Sequence, residues 1–380
     1  MFMADVSDEL RSSALFYHRN PRPGKIEVQP TKPLGNQRDL ALAYSPGVAA
    51  PCEAIAADPT EAANFTSRQN LVAVVSNGTA VLGLGDIGPL ASMPVMEGKA
   101  VFYHQLVGIS AMPILIDAKD VDAFVETVMR IAPTFGGIHL EDISAPECFE
   151  VEARLIEALP QPVMHDDVHG TAVVTLAAVI VACREADLEL ENAVVGQIGL
   201  GAAGFGIAAL MLDGKVRRVL GSDPDEETHE RAHAKGIEIT DMETVKREAD
   251  VVVATTGKAD LIKPEMVRRG QVILPLTNPY PEIDPEVAVE AGAAFASDGT
   301  IVNNVLGYPG IFRGALLAGA TEINLPMKLA AAEAIASLNA DSGLVPDALD
   351  PKVHEQVADA VKQAAIESGV ARLDHVPANL

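Results

Sequence analysis

From about residue 112 to residue 300, short apolar runs alternate with longer stretches in which apolar residues recur every three or four positions. The runs MPILID, GGIHLED and PVMHDD are typical of buried strands, and the stretch VDAFVETVMRIAP between the first two is typical of a helix. Strands that alternate with helices indicate βαβ units and a parallel sheet. We therefore predict an α/β fold for this region, followed by a mostly helical tail.

The first 70 residues lack this alternation and are rich in Pro, Gly and Asn. They predict loops and one short helix near residues 6–16. Two apolar runs then flank Asn77-Gly78, the dipeptide that best signals a two-residue hairpin. We expect the two strands of this hairpin at residues 71–76 and 79–84.

A length of 380 residues suits two domains. We place an N-terminal α/β catalytic domain at residues 1–160. A Rossmann-type nucleotide-binding domain, with a helical C-terminal segment, would occupy residues 161–380. The active site is expected in the cleft between the two.

The charge and the cysteines narrow the class of protein. A formal net charge of −25 argues against binding to nucleic acid or to an anionic membrane surface. The three separated cysteines indicate a reducing cytoplasm rather than a disulfide framework. The N-terminus has no apolar core of a signal peptide, and the apolar run at residues 171–183 is shorter than the roughly 20 residues that span a bilayer. We expect a cytoplasmic protein without a membrane anchor.

The pattern GxGxxG occurs twice, and only its context separates the two copies. A dinucleotide-binding loop needs a preceding strand, a helix that opens on the glycines and an acid about 20 residues later. GLGAAG at residues 199–204 meets all three conditions, whereas GLGDIG at residues 83–88 follows a hairpin strand and runs into Pro89. We interpret GLGAAG at residues 199–204 as a cofactor loop. We interpret GLGDIG at residues 83–88 as a structural turn, with close approach to a substrate as the alternative. The candidate loop residues are Gly199, Gly201, Ala202, Ala203 and Gly204.

Asp223 ends the apolar run that follows the preferred loop, where it would bond the ribose hydroxyls of the cofactor. The next residues, PDEET, add three acids and no base, although Arg217 and Arg218 lie just upstream. The sequence favours NAD, with NADP as the alternative.

Two pairs of acids end two apolar runs that are separated by one predicted helix. Glu141 and Asp142 end IHLED, Asp166 and Asp167 end PVMHDD, and the capping pattern SAPE starts the helix between them at residue 144. Neighbouring strands would bring all four carboxylates to one edge of a sheet, where their repulsion favours a divalent cation with oxygen ligands, Mg²⁺ or Mn²⁺. The alternative is that these acids only complement helix N-termini. His165 and His169 are interpreted as structural.

Four further side chains are candidates for substrate chemistry. Lys99 lies in a glycine-flanked turn, and a desolvated lysine near a metal can act as a base, although a solvated surface lysine is the simpler alternative. Tyr44 precedes a Ser-Pro turn and suits packing. Asn278 and Asn304 follow predicted strands and suit either a substrate carboxylate or ordinary turns.

Several long stretches, taken together, resemble the short bacterial and archaeal malic enzymes from about residue 15 to residue 340. They are LALAYSPGVAAPC, GTAVLGLGDIGPLAS, PVMEGKAV, FGGIHLEDISAPECFE, HDDVHGTAVV, LTNPYPEI and VNNVLGYPGIFRGAL. The resemblance implies oxidative decarboxylation of L-malate to pyruvate and CO₂ with NAD(P)⁺ and Mg²⁺ or Mn²⁺, and a homodimer.

The resemblance also implies roles for individual residues. Glu141, Asp142 and Asp167 would bind the metal. Lys99 would be the general base and contact the substrate, Tyr44 would be the general acid, and Asp166 would adjust the lysine. The substrate carboxylate would be held by Asn304 and by Asn278, which we also place among the cofactor contacts.

The chain departs from the family pattern near the expected substrate mouth. The family commonly has ASKP and LFKKFAGID where this chain has Met93, His104, Gln105 and Ser110, which reduces positive charge there. Two alternatives therefore stay open. One is a related metal-dependent 2-hydroxy acid dehydrogenase or decarboxylase, and the other is a nucleotide-binding regulatory protein without catalysis.

Overall fold

The computed structural model describes residues 7–81, 83–214, 216–299, 302–338 and 344–377. Two parallel sheets form its scaffold, which confirms the predicted α/β class. The strands of the first sheet are β1 Leu71–Ser76, β2 Ser110–Leu115, β3 Gly137–Leu140 and β4 Val163–His165, in the order β2-β1-β3-β4. The strands of the second are β5 Val194–Ile198, β6 Arg218–Ser222, β7 Glu238–Ile239, β8 Val251–Ala254, β9 Val272–Pro275 and β10 Phe295–Ala296, in the order β10-β9-β8-β5-β6-β7.

Helices precede, connect and follow the strands. In the first half of the chain they are α1 Asp8–Arg19, α2 Gln37–Ala43, α3 Ala49–Ala57, α4 Ala62–Phe65, α5 Gly88–Val107, α6 Val121–Ile131, α7 Glu147–Ala158 and α8 Thr171–Glu185. In the second half they are α9 Ala202–Asp213, α10 Glu226–Lys235, α11 Met242–Glu248, α12 Pro285–Glu290, α13 Tyr308–Ala318, α14 Leu325–Ser337 and α15 Pro351–Glu367.

The adjacency of β3 and β4 is the feature that positions the acids. The two strands pair in parallel, with Leu140 opposite His165, as the single crossover through α7 requires. The expected neighbours are therefore confirmed. Helix α7 begins at Glu147, three residues later than expected, because Pro146 occupies the position before the first helical residue.

Helix α8 lies in the largest apolar core, together with residues of α13, α14 and α15. The helical stretch Asp166–Glu185 is long and apolar enough to cross a membrane by length and composition, yet 78% of that apolar stretch is buried inside the fold. It is the core helix that the sequence predicts. Gly310 and Gly314 allow α13 to pack closely on α15, since a Cβ at either would approach the Cβ of a valine to 2.7 Å.

The predicted hairpin at residues 71–84 is wrong in its second half. β1 forms as expected, but both of its edges are already occupied by the parallel strands β2 and β3, so no edge is left for a hairpin partner. Residues 79–81 and 83–84 form turns apart from one isolated bridge between Val81 and Gly85, and residue 82 lies outside the described residues.

The first glycine-rich segment does lead into a helix. α5 begins at Gly88 and carries Pro89 in its first turn, where the missing N–H of proline leaves no hydrogen bond unmade. Lys99 accordingly lies inside this helix and not in the expected turn.

The N-terminal segment contributes little to the core. α1 forms close to its predicted position, and the helices α1, α2 and α3 contain no buried residue. The division at residues 160 and 161 stays a prediction. The first sheet takes its last strand, β4, from beyond that boundary.

Candidate active site

Four carboxylates meet at the carboxyl ends of β3 and β4. Glu141 and Asp142 follow β3, and Asp166 and Asp167 begin the π-helical turn Asp166–Gly170 that follows β4. The Asp142 backbone N–H donates to Asp167 Oδ2 at 2.9 Å, which ties the two strand ends together. Glu141, Asp142 and Asp167 each offer one oxygen, and these oxygens lie within 4.8 Å of one another. The structure therefore brings the three predicted metal-binding residues into one group.

This group has the properties of a cation site. Burial raises the pKa of Glu141 to about 8, with Asp167 adding to the effect, and burial together with Asp167 and Glu141 raises the pKa of Asp142 to about 8. Asp142 also has a positive φ of 52°, which a non-glycine residue adopts at some cost, and its Oδ2 is buried without a hydrogen-bond partner. A hard divalent cation would satisfy these oxygens and remove the repulsion between them.

Lys99 enters the group from α5 and is buried. Its Nζ donates to Asp166 Oδ2 at 2.6 Å and lies 3.0 Å from Glu141 Oε1 and 4.6 Å from the centre of the Tyr308 ring. Burial lowers the pKa of Lys99, but Asp166 and Glu141 raise it, and the result lies well above the ordinary value. Burial raises the pKa of Asp166 to about 6 against the opposing effect of Lys99. Lys99 is therefore held as an ammonium ion. Its pKa is raised, whereas a lysine that acts as a base without help would need a lowered pKa.

Sequence reasoning missed His139 of β3, which lies two residues before Glu141, so that both side chains leave the extended backbone on the same side. His139 Nε2 lies 2.6 Å from Glu141 Oε2, and His139 Nδ1 lies 2.8 Å from the Tyr103 hydroxyl. Burial lowers the pKa of His139 to about 4. A neutral ring whose two nitrogens are both engaged orients Glu141 and is not itself free for a metal. The alternation of side chains along IHLED is the signal that could have identified it.

Glu152 of α7 braces the turn that carries Asp166 and Asp167. It accepts a hydrogen bond from the His165 backbone N–H at 2.7 Å, and its other oxygen lies 2.9 Å from His169 Nε2. Lys328 Nζ lies 3.1 Å from the opposite nitrogen of His169. Burial raises the pKa of Glu152, but His169 and Lys328 outweigh burial and lower it to about 2. These contacts fit the structural interpretation of His169. His165 takes part through its backbone only: both of its ring nitrogens are buried without a hydrogen-bond partner, and Nδ1 lies 3.7 Å from Asp167 Oδ2.

The GLGAAG segment has the geometry of a phosphate-binding loop. Gly199 has a φ of 89°, and a Cβ there would approach the Thr255 carbonyl oxygen to 2.6 Å. A Cβ at Gly204 would approach the Gly199 carbonyl oxygen to 1.9 Å, whereas a Cβ at Gly201 would meet nothing within 4 Å. α9 opens at Ala202, followed by Ala203, so its first backbone N–H groups face this open space.

A cavity of about 780 Å³ adjoins this loop and has Gly199, Gly201 and Asp223 among its lining residues. Asp223 accepts hydrogen bonds from the backbone N–H groups of Leu200 at 2.6 Å and Asp225 at 2.9 Å, which fixes its carboxylate on the cavity wall. The loop helix also contacts the acid turn, since a Cβ at Gly206 would approach the Val168 carbonyl oxygen to 2.2 Å. The cofactor loop and the acids are therefore neighbours.

The remaining predicted residues are less closely assembled. Asn304 begins the short turn Asn304–Leu306, which packs against the acid turn Asp166–Gly170. Asn278 Nδ2 donates to the Gly299 carbonyl oxygen at 3.0 Å. Tyr44 directly follows α2 and is 71% exposed, and within the described ranges no hydrogen bond joins it to the acids or to Lys99.

The departures from the family pattern are only partly near the site. Met93 lies on α5 ahead of Lys99, while His104 and Gln105 lie near the end of that helix and are exposed. Ser110 begins β2, at the amino edge of the sheet and so opposite the acids. The expectation that Ser110 lies at the substrate mouth is wrong because the preceding helix returns the chain to that far edge.

Comparison with known proteins decides the family. Residues 23–156 match the family model of the malic enzyme N-terminal domain, and residues 168–249 match that of the malic enzyme NAD binding domain. The chain belongs to the malic enzyme family. This confirms the resemblance inferred from its motifs.

Individual malic enzymes are similar over nearly the whole chain. The NAD-dependent malic enzyme 1 of Bacillus subtilis is 52% identical over 362 residues, which cover 95% of this chain and 81% of the relative. The NADP-dependent malic enzyme of Halomonas elongata is 42% identical, with 97% and 96% covered. The crystal structure of the malic enzyme from Pyrococcus horikoshii superposes with a TM-score of 0.90 at 39% identity, with 96% and 92% covered.

The bracing role of Glu152 can be tested with Glu152→Gln. The variant keeps the shape of the side chain but removes the charge that faces His169 and Lys328, so the acid turn should lose its fixed geometry. We expect Mn²⁺ affinity, measured by electron paramagnetic resonance, to fall by about 10- to 100-fold, as for other groups that orient metal ligands. Glu150→Gln, an exposed change on the same helix, should have no effect, and equal affinities for the two variants would contradict the role.

Proposed function

We propose that this chain oxidises L-malate and removes CO₂ from it, giving pyruvate and a reduced nicotinamide cofactor. The observation that carries the proposal is the buried Lys99 between Asp166 and Glu141, beside a group of acids suited to a divalent cation and next to a dinucleotide-type loop. Membership of the malic enzyme family supports the same reaction.

Glu141, Asp142 and Asp167 would hold Mg²⁺ or Mn²⁺. Their oxygens are grouped, Glu141 and Asp142 are buried while Asp167 is half-buried, and Asp142 Oδ2 has no hydrogen-bond partner. When bound, the cation stabilises the negative charge that develops on the C2 oxygen of the substrate. His139 assists by holding Glu141 in place through the contact of 2.6 Å.

Lys99 would take the proton of the C2 hydroxyl while the C2 hydride passes to the nicotinamide. The lysine must first release a proton of its own, and Asp166 Oδ2, 2.6 Å away, is placed to receive it. Loss of CO₂ then leaves its bonding electron pair at C3, where a proton must be added. Family resemblance gives this last step to Tyr44. Asn278 and Asn304 would hold the substrate carboxylate beside these groups.

Replacement of the lysine tests the reaction. Lys99→Ala should lower the rate of malate oxidation by at least about 10²-fold, the usual contribution of a general base. The assay follows absorbance of the reduced cofactor together with pyruvate in the presence of Mn²⁺, and EDTA should abolish wild-type turnover. Lys119→Ala, which alters an exposed lysine, is the matched control. The proposal would be disproved by a Lys99→Ala rate close to that of the wild type, or by wild-type turnover that persists in EDTA.

NAD is the proposed cofactor, with NADP as the alternative. Asp223 lines the cavity with its carboxylate fixed by two backbone N–H groups, and Asp241 lines the same cavity. Two carboxylates there would repel the additional phosphate of NADP.

The preference for NAD⁺ over NADP⁺ should weaken in Asp223→Asn, which keeps a hydrogen-bonding side chain but removes the charge. We expect the ratio of kcat/KM for NADP⁺ to that for NAD⁺ to rise by about tenfold or more, equivalent to about 1.4 kcal/mol. Glu227→Gln, an exposed change nearby, serves as the control. An unchanged ratio in Asp223→Asn would show that this carboxylate does not select the cofactor.

The chain is also proposed to act as a cytoplasmic homodimer. Large apolar side chains of the N-terminal segment, Phe16, Val28 and Leu34 among them, are 68%, 82% and 68% exposed. A concentration of exposed large apolar side chains in one segment of the chain is consistent with an interface there. A second copy that covers this segment would also cover Tyr44.

Sedimentation velocity can test the dimer. The wild-type chain should sediment with twice the mass of one chain, and Phe16→Asp combined with Val28→Asp should shift it to the monomer because two charges would be buried at the interface. Leu349→Asp, which alters an apolar side chain that is 66% exposed elsewhere, should leave the mass unchanged. A wild-type monomer would disprove the assembly.

A further inference from the structure

A second cavity, of about 540 Å³, lies at the amino edge of the first sheet, opposite the acids. Its lining comes from residues that precede β1, β3 and β4, from the helices α3, α4, α6 and α13, and from the segment after α15. The proposed reaction uses none of these residues. The walls are mostly apolar, with Ile55, Met129, Leu159 and Leu316 among them.

Two arginines, Arg68 and Arg372, stand in these apolar walls. Each arginine donates one hydrogen bond to a backbone carbonyl oxygen. Arg68 Nε donates to that of Pro133 at 3.0 Å, and Arg372 Nη2 donates to that of Pro160 at 2.6 Å. Arg372 Nε is buried and has no hydrogen-bond partner. Burial, and then the nearby charge of Arg372, lower the pKa of Arg68, so the two guanidinium groups are close enough to repel each other.

No carboxylate among the described residues forms an ion pair with either arginine. The acids beside the cavity are engaged elsewhere, since Asp374 lies 3.5 Å from His375 and Asp58 accepts hydrogen bonds from Thr60. Two unpaired cations in one apolar cavity are unusual in a chain with a net charge of −25. The planar donors of guanidinium match a carboxylate in two-point hydrogen bonding.

We propose that this cavity binds a small organic anion, with its carboxylate between Arg68 and Arg372 and its apolar body against Ile55, Met129, Leu159 and Leu316. The carboxylate would accept hydrogen bonds from terminal guanidinium N–H groups of Arg68 and Arg372, the two arginines that line the cavity. The apolar walls select a ligand with a hydrocarbon chain over a compact inorganic anion. This binding does not depend on the proposed reaction.

The test is isothermal titration of the full chain with hexanoate in EDTA-containing buffer. We expect saturable binding that Arg68→Gln and Arg372→Gln each weaken by at least about tenfold, the loss typical of one charged hydrogen bond. Arg68→Lys and Arg372→Lys, which keep the charge, should recover part of the affinity, and circular dichroism establishes that each variant is folded. Arg154→Gln, which alters an arginine paired with Asp122 and Glu150 on the surface, should bind as the wild type does.

Three further binding measurements separate this cavity from the acid site and the charge of the ligand from its hydrocarbon chain. Lys99→Ala should retain hexanoate binding, because the cavity is remote from the acids. Neutral 1-hexanol should bind more weakly, since it lacks the anionic group, and inorganic phosphate should compete poorly, since it lacks the chain. Absence of saturable hexanoate binding, loss of binding in Lys99→Ala, or equal binding by both arginine-to-glutamine variants and the wild type would overturn the proposal.

Discussion

The central constraint in this structure is the grouping of four carboxylates, three of them buried and Asp167 half-buried, around a single ammonium group. Glu141, Asp142, Asp166 and Asp167 share the ends of two adjacent strands, and Lys99 is the one cation that the described residues bring into hydrogen-bonding contact with them. Such an arrangement is stable only if further positive charge or protons are supplied. The surrounding elements fix the acids where that charge is needed. They bury Glu141, Asp142 and Asp166, so the electrostatic interactions of these groups are stronger than at the surface.

Much of this arrangement could be predicted from local sequence. The crossover between IHLED and PVMHDD is short, and a short right-handed crossover joins neighbouring parallel strands, so the meeting of the acids followed from connectivity alone. The glycine loop could also be predicted from local sequence, because strand, turn and helix are contiguous in the chain and Gly204 packs directly against the Gly199 carbonyl oxygen.

The wrong hairpin prediction and the missed role of His139 have a common physical origin, because both depend on contacts between segments that are distant in the chain. Asn77-Gly78 favours a hairpin, but both edges of β1 are taken by strands whose pairing the local pattern does not report. The role of His139 depends on Tyr103, which comes from another element. The role of Tyr44 stays a prediction, because it lies beside a helix without buried residues and the fold of one chain does not fix its surroundings.

The route of the backbone between the two sheets limits how this protein can evolve. β4 ends at His165, the acid turn follows at once, and α8 then leads to β5, while α9 packs through Gly206 against Val168 of the same turn. An insertion or deletion in the acid turn Asp166–Gly170 would displace both the acids and the cofactor helix α9. Changes in metal affinity and in cofactor use are therefore not independent traits here, and sequence drift is expected to concentrate in segments away from this turn, such as the exposed N-terminal helices.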